Sequence, residues 1–204
     1  MTQIKQQANP QGKGIVGVVA DLQQQISRHV AAKDHSQILA DYFTSSIVLI
    51  AEYSFKPVIG VAYYLYFRDG KWSLSLIEPE AWTSLPGLFF ARCLLNEDRT
   101  WCLQTIADWQ NSSLLTVEIE RLQADFIASL NNEHSFLEQL PYYQSNLNYF
   151  QRLGAYALAH SLQCSLLSQY GQQHSTTLSA RQLLMSGLSN NKHLLHNLSH
   201  HSTS

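Results

Sequence analysis

The feature that most constrains the fold of this chain is an Asp-Gly pair between two runs of alternating side chains. Residues 61–68 and 71–77 alternate in polarity, and Asp69-Gly70 separates them. Both central residues of a type I′ turn need positive φ, which Asp tolerates and Gly favours. The pattern therefore predicts a two-residue β-hairpin whose register is set by the turn.

The predicted register sorts the hairpin side chains onto two faces, because side chains alternate along a strand. One face is a wall of the core, formed by Tyr63, Leu65, Phe67, Trp72, Leu74 and Leu76. The other face carries four large polar or amphipathic side chains, those of Tyr64, Tyr66, Arg68 and Lys71. One interpretation is a helix packed over these tyrosines, since sheets in mixed folds are often covered on both faces. The other is an exposed aromatic surface for a partner peptide or small ligand, where the two cations favour an acidic group.

The rest of the chain predicts an α+β protein. Further strands are expected over 89–95 and 100–103, and the short connections favour a four-strand antiparallel meander. Apolar residues at helical spacing predict two N-terminal helices, over about 15–26 and 34–52. The β-branched end of the second, at 47–51, leaves a strand open as an alternative there.

The domain organisation follows from these elements. We expect an N-terminal loop at 1–14, an α+β core at 15–103, a helical region at 104–187 that packs on the core, and a mobile polar tail at 188–204. Asp34 followed by Gln37 predicts a capping box at the start of the second helix. A long helix should end near Gly171, and small residues within its 147–161 part would allow a homo-oligomer to form through it.

The segment NPQGKG, residues 9–14, suggests an anion site. Gly12 and Gly14 allow a sharp turn, Lys13 supplies charge, and the free amides of a helix N-terminus follow. The segment lacks the P-loop pattern, and glycines are common before helices, so a structural turn is the alternative interpretation.

Composition excludes several function classes. A net charge of -2 with only 14% charged residues argues against a nucleic-acid binder. The longest apolar run, 47–51, is far below the ~20 residues that span a membrane. No signal peptide is evident, so a cytoplasmic location is expected.

The chemistry-bearing residues form no recognisable catalytic or metal-binding motif. Three cysteines without a CxxC pair indicate neither a disulfide framework nor a thiolate metal site. His160 and Cys164 lie one helical turn apart, which by itself indicates packing, and the sequence identifies no third group to orient the imidazole. No cofactor or metal is predicted, and whether the protein is an enzyme stays open, with a non-enzymatic role favoured.

Four short motifs in order resemble a family of unknown function shared by bacteria and eukaryotes, which includes an uncharacterised animal open-reading-frame protein. The matching pieces are NPQGKG (9–14), KPVIGVAYYLY (56–66), LSLIEPEAW (74–82) and LPGLFFARCLLNEDRTW (85–101). The resemblance implies one structural unit over residues 9–101 and supplies no reaction.

The leading functional hypothesis is a non-enzymatic binding or adaptor protein that recognises an unidentified protein or small molecule through the tyrosine face. The alternative is an enzyme or sensor for a small, phosphate-bearing anion at the NPQGKG turn.

Overall fold

The computed structural model describes residues 21–142, 144–188 and Leu194, apart from positions 22, 25 and 28. The NPQGKG turn, most of the first predicted helix and nearly all of the predicted tail lie outside the described residues. Positions 21–29 contain helical backbone wherever they are described.

The hairpin forms as predicted. Strands β1 (Ala62–Arg68) and β2 (Lys71–Ser75) pair antiparallel, and each residue from Tyr64 to Arg68 has the expected cross-strand partner. Asp69 and Gly70 both have positive φ, 51° and 77°, as a type I′ turn requires.

Strands β3 (Leu88–Leu95) and β4 (Trp101–Thr105) complete an antiparallel sheet in the order β2-β1-β3-β4. The α+β class with a four-strand antiparallel sheet is confirmed, but the order differs from that of a sequential meander. β3 lies beside β1, so the connection 76–87 crosses β1 before β3 begins. Gly87 lies against the β1 backbone at the end of this crossing, where a Cβ atom would stand 2.6 Å from the carbonyl oxygen of Phe67.

Helix α1 (His35–Ile50) runs through the centre of the molecule. Asp34 and Gln37 form the predicted capping box, and the alternative strand at 47–51 is wrong because helical backbone continues to Ile50. The helix is buried along most of its length, and five of its apolar side chains are at most 1% exposed: Ile38, Leu39, Phe43, Ile47 and Val48. A helix surrounded by apolar side chains must have packing partners on several sides. The sheet supplies one of them, through the buried wall of Tyr63, Leu65, Phe67, Trp72 and Leu74.

Three further helices supply the other partners of α1. They are α2 (Ser113–Leu130), α3 (Tyr149–Thr177) and α4 (Ala180–Leu188). Gly171 breaks the helical geometry of α3 with φ 76° and ψ 168°, although helical backbone resumes and continues to Thr177. No helix within the described residues is long and apolar enough to cross a bilayer.

The small side chains of α3 are used inside the protomer. Ala155, Ala157 and Ala159 are each at most 4% exposed, and Gly154 lies against the side chains of Leu49 and Tyr53. These small residues therefore contribute to packing within the protomer, and the homo-oligomer expected through 147–161 stays a prediction.

Candidate functional site

The predicted tyrosine face is partly covered. Tyr66 is fully buried, although it points away from the core wall. Its ring packs edge-on to Trp82 and 5.5 Å from the ring of Phe89, and its hydroxyl donates to the carbonyl oxygen of Ile77 at 3.0 Å. The cover is the crossing connection rather than a helix, and it removes Tyr66 from any contact surface.

The other predicted residues of this face remain accessible. Tyr64 is half-buried, and its hydroxyl lies 3.3 Å from a carboxylate oxygen of Glu78. Arg68 and Lys71 are exposed at the hairpin tip and form surface ion pairs with Asp69 and Glu52. Exposed pairs of this kind contribute little to stability, so both cations could be recruited by a partner.

One predicted wall residue lies elsewhere. Leu76 follows the end of β2 and is 57% exposed, because the chain has already turned into the crossing connection there. The expectation that Leu76 belongs to the core wall is therefore wrong.

A separate pocket of about 240 Å³ lies between α3 and the opposite end of the sheet. Three aromatic side chains line it, namely Tyr53, Trp101 and Phe150, together with Leu95, Pro57 and the small residues Gly154 and Ala157. Tyr53 and Trp101 are nearly buried, and burial raises the pKa of the Tyr53 phenol to about 12. The phenol is therefore neutral at physiological pH and can act as a hydrogen-bond donor in the pocket wall.

Two cations and one carboxylate also line this pocket: Lys56, Arg99 and Asp21. Lys56 and Asp21 are exposed, whereas Arg99 is half-buried. Burial lowers the pKa of the Arg99 guanidinium, which still carries its charge because an arginine titrates far above neutral pH. A partly desolvated, permanent positive charge beside aromatic rings favours an anion as its neighbour.

The turn between β3 and β4 places Arg99 in the pocket. Arg99 has φ 69°, an uncommon value for a residue with a side chain. Its amide donates to the carbonyl of Asn96 at 3.0 Å, and the amide of Asn96 donates to the carbonyl of Thr100 at 2.9 Å. Unusual backbone conformations persist only where the surroundings hold them, and they concentrate at functional sites.

An ion cluster holds that turn against α1. The ammonium group of Lys33 lies 2.6 Å from a carboxylate oxygen of Asp41 and 2.6 Å from one of Asp98. Burial opposes ionisation of Asp98, but Lys33 and two hydrogen bonds from Thr100 together lower the pKa of this carboxyl. The Asp98 carboxylate fixes the residue directly before Arg99 and thereby supports the position of the guanidinium.

The α3 side of the pocket is fixed to the C-terminal end of α1. The side-chain amide of Gln151 donates to the carbonyls of Leu49 and Ala51 at 3.1 and 2.8 Å. The side-chain amide of Asn148 donates to the carbonyl of Tyr53 at 2.8 Å. The bonds from Gln151 satisfy carbonyls at the end of α1 that have no intrahelical partner, and the bond from Asn148 ties α3 to the segment that follows α1.

Comparisons with protein-family models, with curated proteins and with solved structures find no match to this chain. The resemblance of its four motifs to a family of unknown function stays a prediction, and functional inference depends on the geometry of the sites.

The sequence did not reveal this pocket because its residues are scattered along the chain. Lys56, Arg99 and Phe150 belong to three segments whose proximity depends on tertiary packing. The only local signal is a basic residue at the last position of a tight turn, directly before Thr100 and the buried Trp101. Among the described residues, no three His, Cys, Asp or Glu side chains come together as a metal site would need, and the predicted anion site at Gly12, Lys13 and Gly14 lies outside them.

Proposed function

We propose that the protein binds a small organic anion with an apolar or aromatic body in the pocket between α3 and the sheet. The observation that carries this proposal is the meeting of Arg99 and Lys56 with the rings of Tyr53, Trp101 and Phe150 in one cavity. The role we propose is that of a binding or sensing protein, because the lining offers charge and aromatic contacts that suit an anion.

Charge selects an anion. Within the part of the chain that the structure describes, the pocket lining holds two cations against one carboxylate, that of Asp21. Arginine is suited to this task because its planar fork binds a carboxylate or phosphate through two parallel hydrogen bonds. Half-burial of Arg99 strengthens such a pair relative to one on the open surface.

The volume and the lining of the pocket indicate which uncharged group the ligand carries. A cavity of about 240 Å³ is smaller than the 300–1,000 Å³ typical of sites for drug-sized molecules. Aromatic walls favour a flat apolar group, which can stack or pack edge-on against the rings. A single ring that carries a carboxylate or phosphate has both properties.

The test uses benzoate and phenyl phosphate as probes, with benzyl alcohol as the neutral counterpart of similar shape. We expect the two anions to raise the melting temperature in a concentration-dependent manner, because a ligand that binds only the folded state stabilises it by mass action. Amide shifts in NMR titrations should centre on Trp101 and Gly154. If benzyl alcohol raised the melting temperature as much as the two anions do, the ligand would not be selected by its charge.

Matched variants locate the site. Arg99→Gln and Lys56→Gln each remove one cation from the pocket and should weaken anion binding. Lys71→Gln removes an exposed cation at the hairpin tip, outside this pocket, and should leave binding unchanged. Equal losses in all three variants would indicate a non-specific charge effect.

The second candidate function is an adaptor surface on the outer face of the sheet, the leading hypothesis from the sequence. The observation in its favour is a row of half-buried side chains across three strands, Tyr64, Arg92 and Gln104, whose partners are set by the register. Affinity capture from native lysate with wild type and Tyr64→Ala would test it. Recovery of the same proteins by both would count against this surface.

A further inference from the structure

We propose that Cys164 is a reactive thiol activated by His160, and that it takes small hydroperoxides as oxidants. The two side chains lie on adjacent turns of α3, and Sγ of Cys164 is 3.5 Å from Nε2 of His160. Neither lines the proposed ligand pocket, whose α3 residues Phe150, Leu153, Gly154 and Ala157 precede them along the helix. The proposal therefore stands independently of the proposed function.

The structure supplies the third group that the sequence could not identify. The helical segment at 21–29 packs beside α3, where the side-chain amide of Gln23 donates to the hydroxyl of Tyr156 at 2.6 Å. The backbone carbonyl of Gln23 accepts a hydrogen bond from the His160 ring. Ser27 Oγ lies 3.4 Å from Nε2 of His160 and 3.8 Å from Sγ of Cys164.

Nε2 is the ring nitrogen of His160 that faces the Cys164 thiol. In the tautomer that carries its proton on Nδ1, Nε2 can accept the proton of that thiol. Burial lowers the pKa of His160, more than the hydrogen bond to Gln23 raises it. The ring is therefore neutral near pH 7 and available to take the thiol proton, which is the arrangement of an activated nucleophile and its oriented base.

The other two cysteines lack these features. Cys93 is completely buried, and burial raises the pKa of its thiol. Cys102 is half-buried on the sheet, where burial and the nearby Asp41 carboxylate raise its pKa. Since the thiolate is the reactive form, both environments disfavour reaction. Cys164 is half-buried beside the exposed Ser27, so a small oxidant can reach it.

The reaction balances with one hydroperoxide for each thiol. His160 takes the proton from Cys164, and the thiolate sulfur attacks the terminal peroxide oxygen. An S–O bond forms as the O–O bond breaks, and His160 returns the proton to the departing oxygen. The products are a sulfenic acid on Cys164 and one molecule of alcohol, or of water when the oxidant is hydrogen peroxide.

The experiment treats the full-length protein with hydrogen peroxide and dimedone, which labels sulfenic acids, and follows each cysteine by mass spectrometry. In wild type, we expect Cys164 to be labelled about tenfold faster than Cys102. This comparison needs no variant, because all three thiols are present in one molecule. Labelling of Cys102 as fast as Cys164 would overturn the proposal.

A pair of variants then tests the base. His160→Gln should slow labelling of Cys164 by at least about tenfold, while circular dichroism checks that the fold is retained. His174→Gln removes another imidazole from the same helix and should leave the rate unchanged. An unchanged rate in folded His160→Gln would show that Cys164 is not activated by this histidine.

Discussion

At the scale of single residues, the two tyrosines of the outer sheet face differ in environment although their sequence positions are equivalent. Tyr66 is fully buried between Trp82 and Phe89, whereas Tyr64 is half-buried beside Glu78. Strand alternation places both on the same face. What separates them is the path of the crossing connection, which covers one ring and leaves the other accessible.

This difference in burial predicts that removing the two tyrosine side chains destabilises the protein by unequal amounts. Tyr66→Ala should lower the free energy of unfolding by about 3–5 kcal/mol, as loss of a fully buried aromatic ring does. Tyr64→Ala is the matched control, because Tyr64 lies two residues away on the same face of β1. It should lower the free energy of unfolding by about 1 kcal/mol or less. Urea unfolding followed by circular dichroism measures both. Equal costs would mean that the connection does not cover Tyr66 in solution.

At the scale of secondary-structure elements, α1 organises the molecule, and its start is defined by its own sequence. The Asp34 carboxylate accepts from the backbone amide of Gln37 at 2.8 Å, and the Gln37 side chain accepts from the amide of Asp34 at 3.1 Å. The hydrogen bond from Gln37 lowers the pKa of the Asp34 carboxyl, against the smaller opposing effect of burial. The ionised form is therefore favoured in the folded state.

The pH dependence of the cap follows from this lowered pKa. A carboxyl with a depressed folded-state pKa contributes stability above its unfolded pKa, near 3.8, and loses it as pH falls through the folded value. Asp34→Asn keeps a capping oxygen but removes the charge. We therefore expect wild type to be more stable than Asp34→Asn at pH 7, and the difference to shrink towards about pH 3.

Thermal unfolding of both proteins across this pH range measures the effect, and each protein at low pH serves as its own control. A difference that stays constant with pH would show that the charge of Asp34 does not contribute to the cap.

At the scale of the whole molecule, α3 joins the N-terminal α+β part of the chain to its C-terminal helices. Gln151 is buried and donates to two carbonyls at the end of α1. The same helix forms one wall of the ligand pocket and carries His160 and Cys164 further along its length. Both proposed sites therefore depend on how α3 packs against the end of α1.

Substitution of Gln151 tests how much this contact between α3 and α1 contributes to stability. Gln151→Met preserves the approximate volume but leaves the carbonyls of Leu49 and Ala51 without the amide donor, at a cost of about 1–3 kcal/mol. Gln172→Met makes the same change at an exposed position of α3 and should have little effect. Urea denaturation measures both variants, and a neutral Gln151→Met would contradict the role of this contact.

Local patterns predicted much of the fold. The Asp69-Gly70 turn, the hairpin register and the cap of α1 are each encoded within a few neighbouring residues, and each is confirmed. Apolar residues at helical spacing along α2 likewise meet the core, through Leu115 and Ile119. Such features follow from turn conformation and side-chain periodicity, which do not require knowledge of distant partners.

The sequence by itself determined where the strands and helices form and which hairpin side chains share a face. Only the tertiary structure decided that β3 crosses β1, and with that crossing the burial of Tyr66. It also brought Arg99 to the aromatic pocket and Ser27 to the His160–Cys164 pair. The physical reason is that strand order and helix docking depend on the summed burial of many distant side chains, which no short stretch of sequence contains.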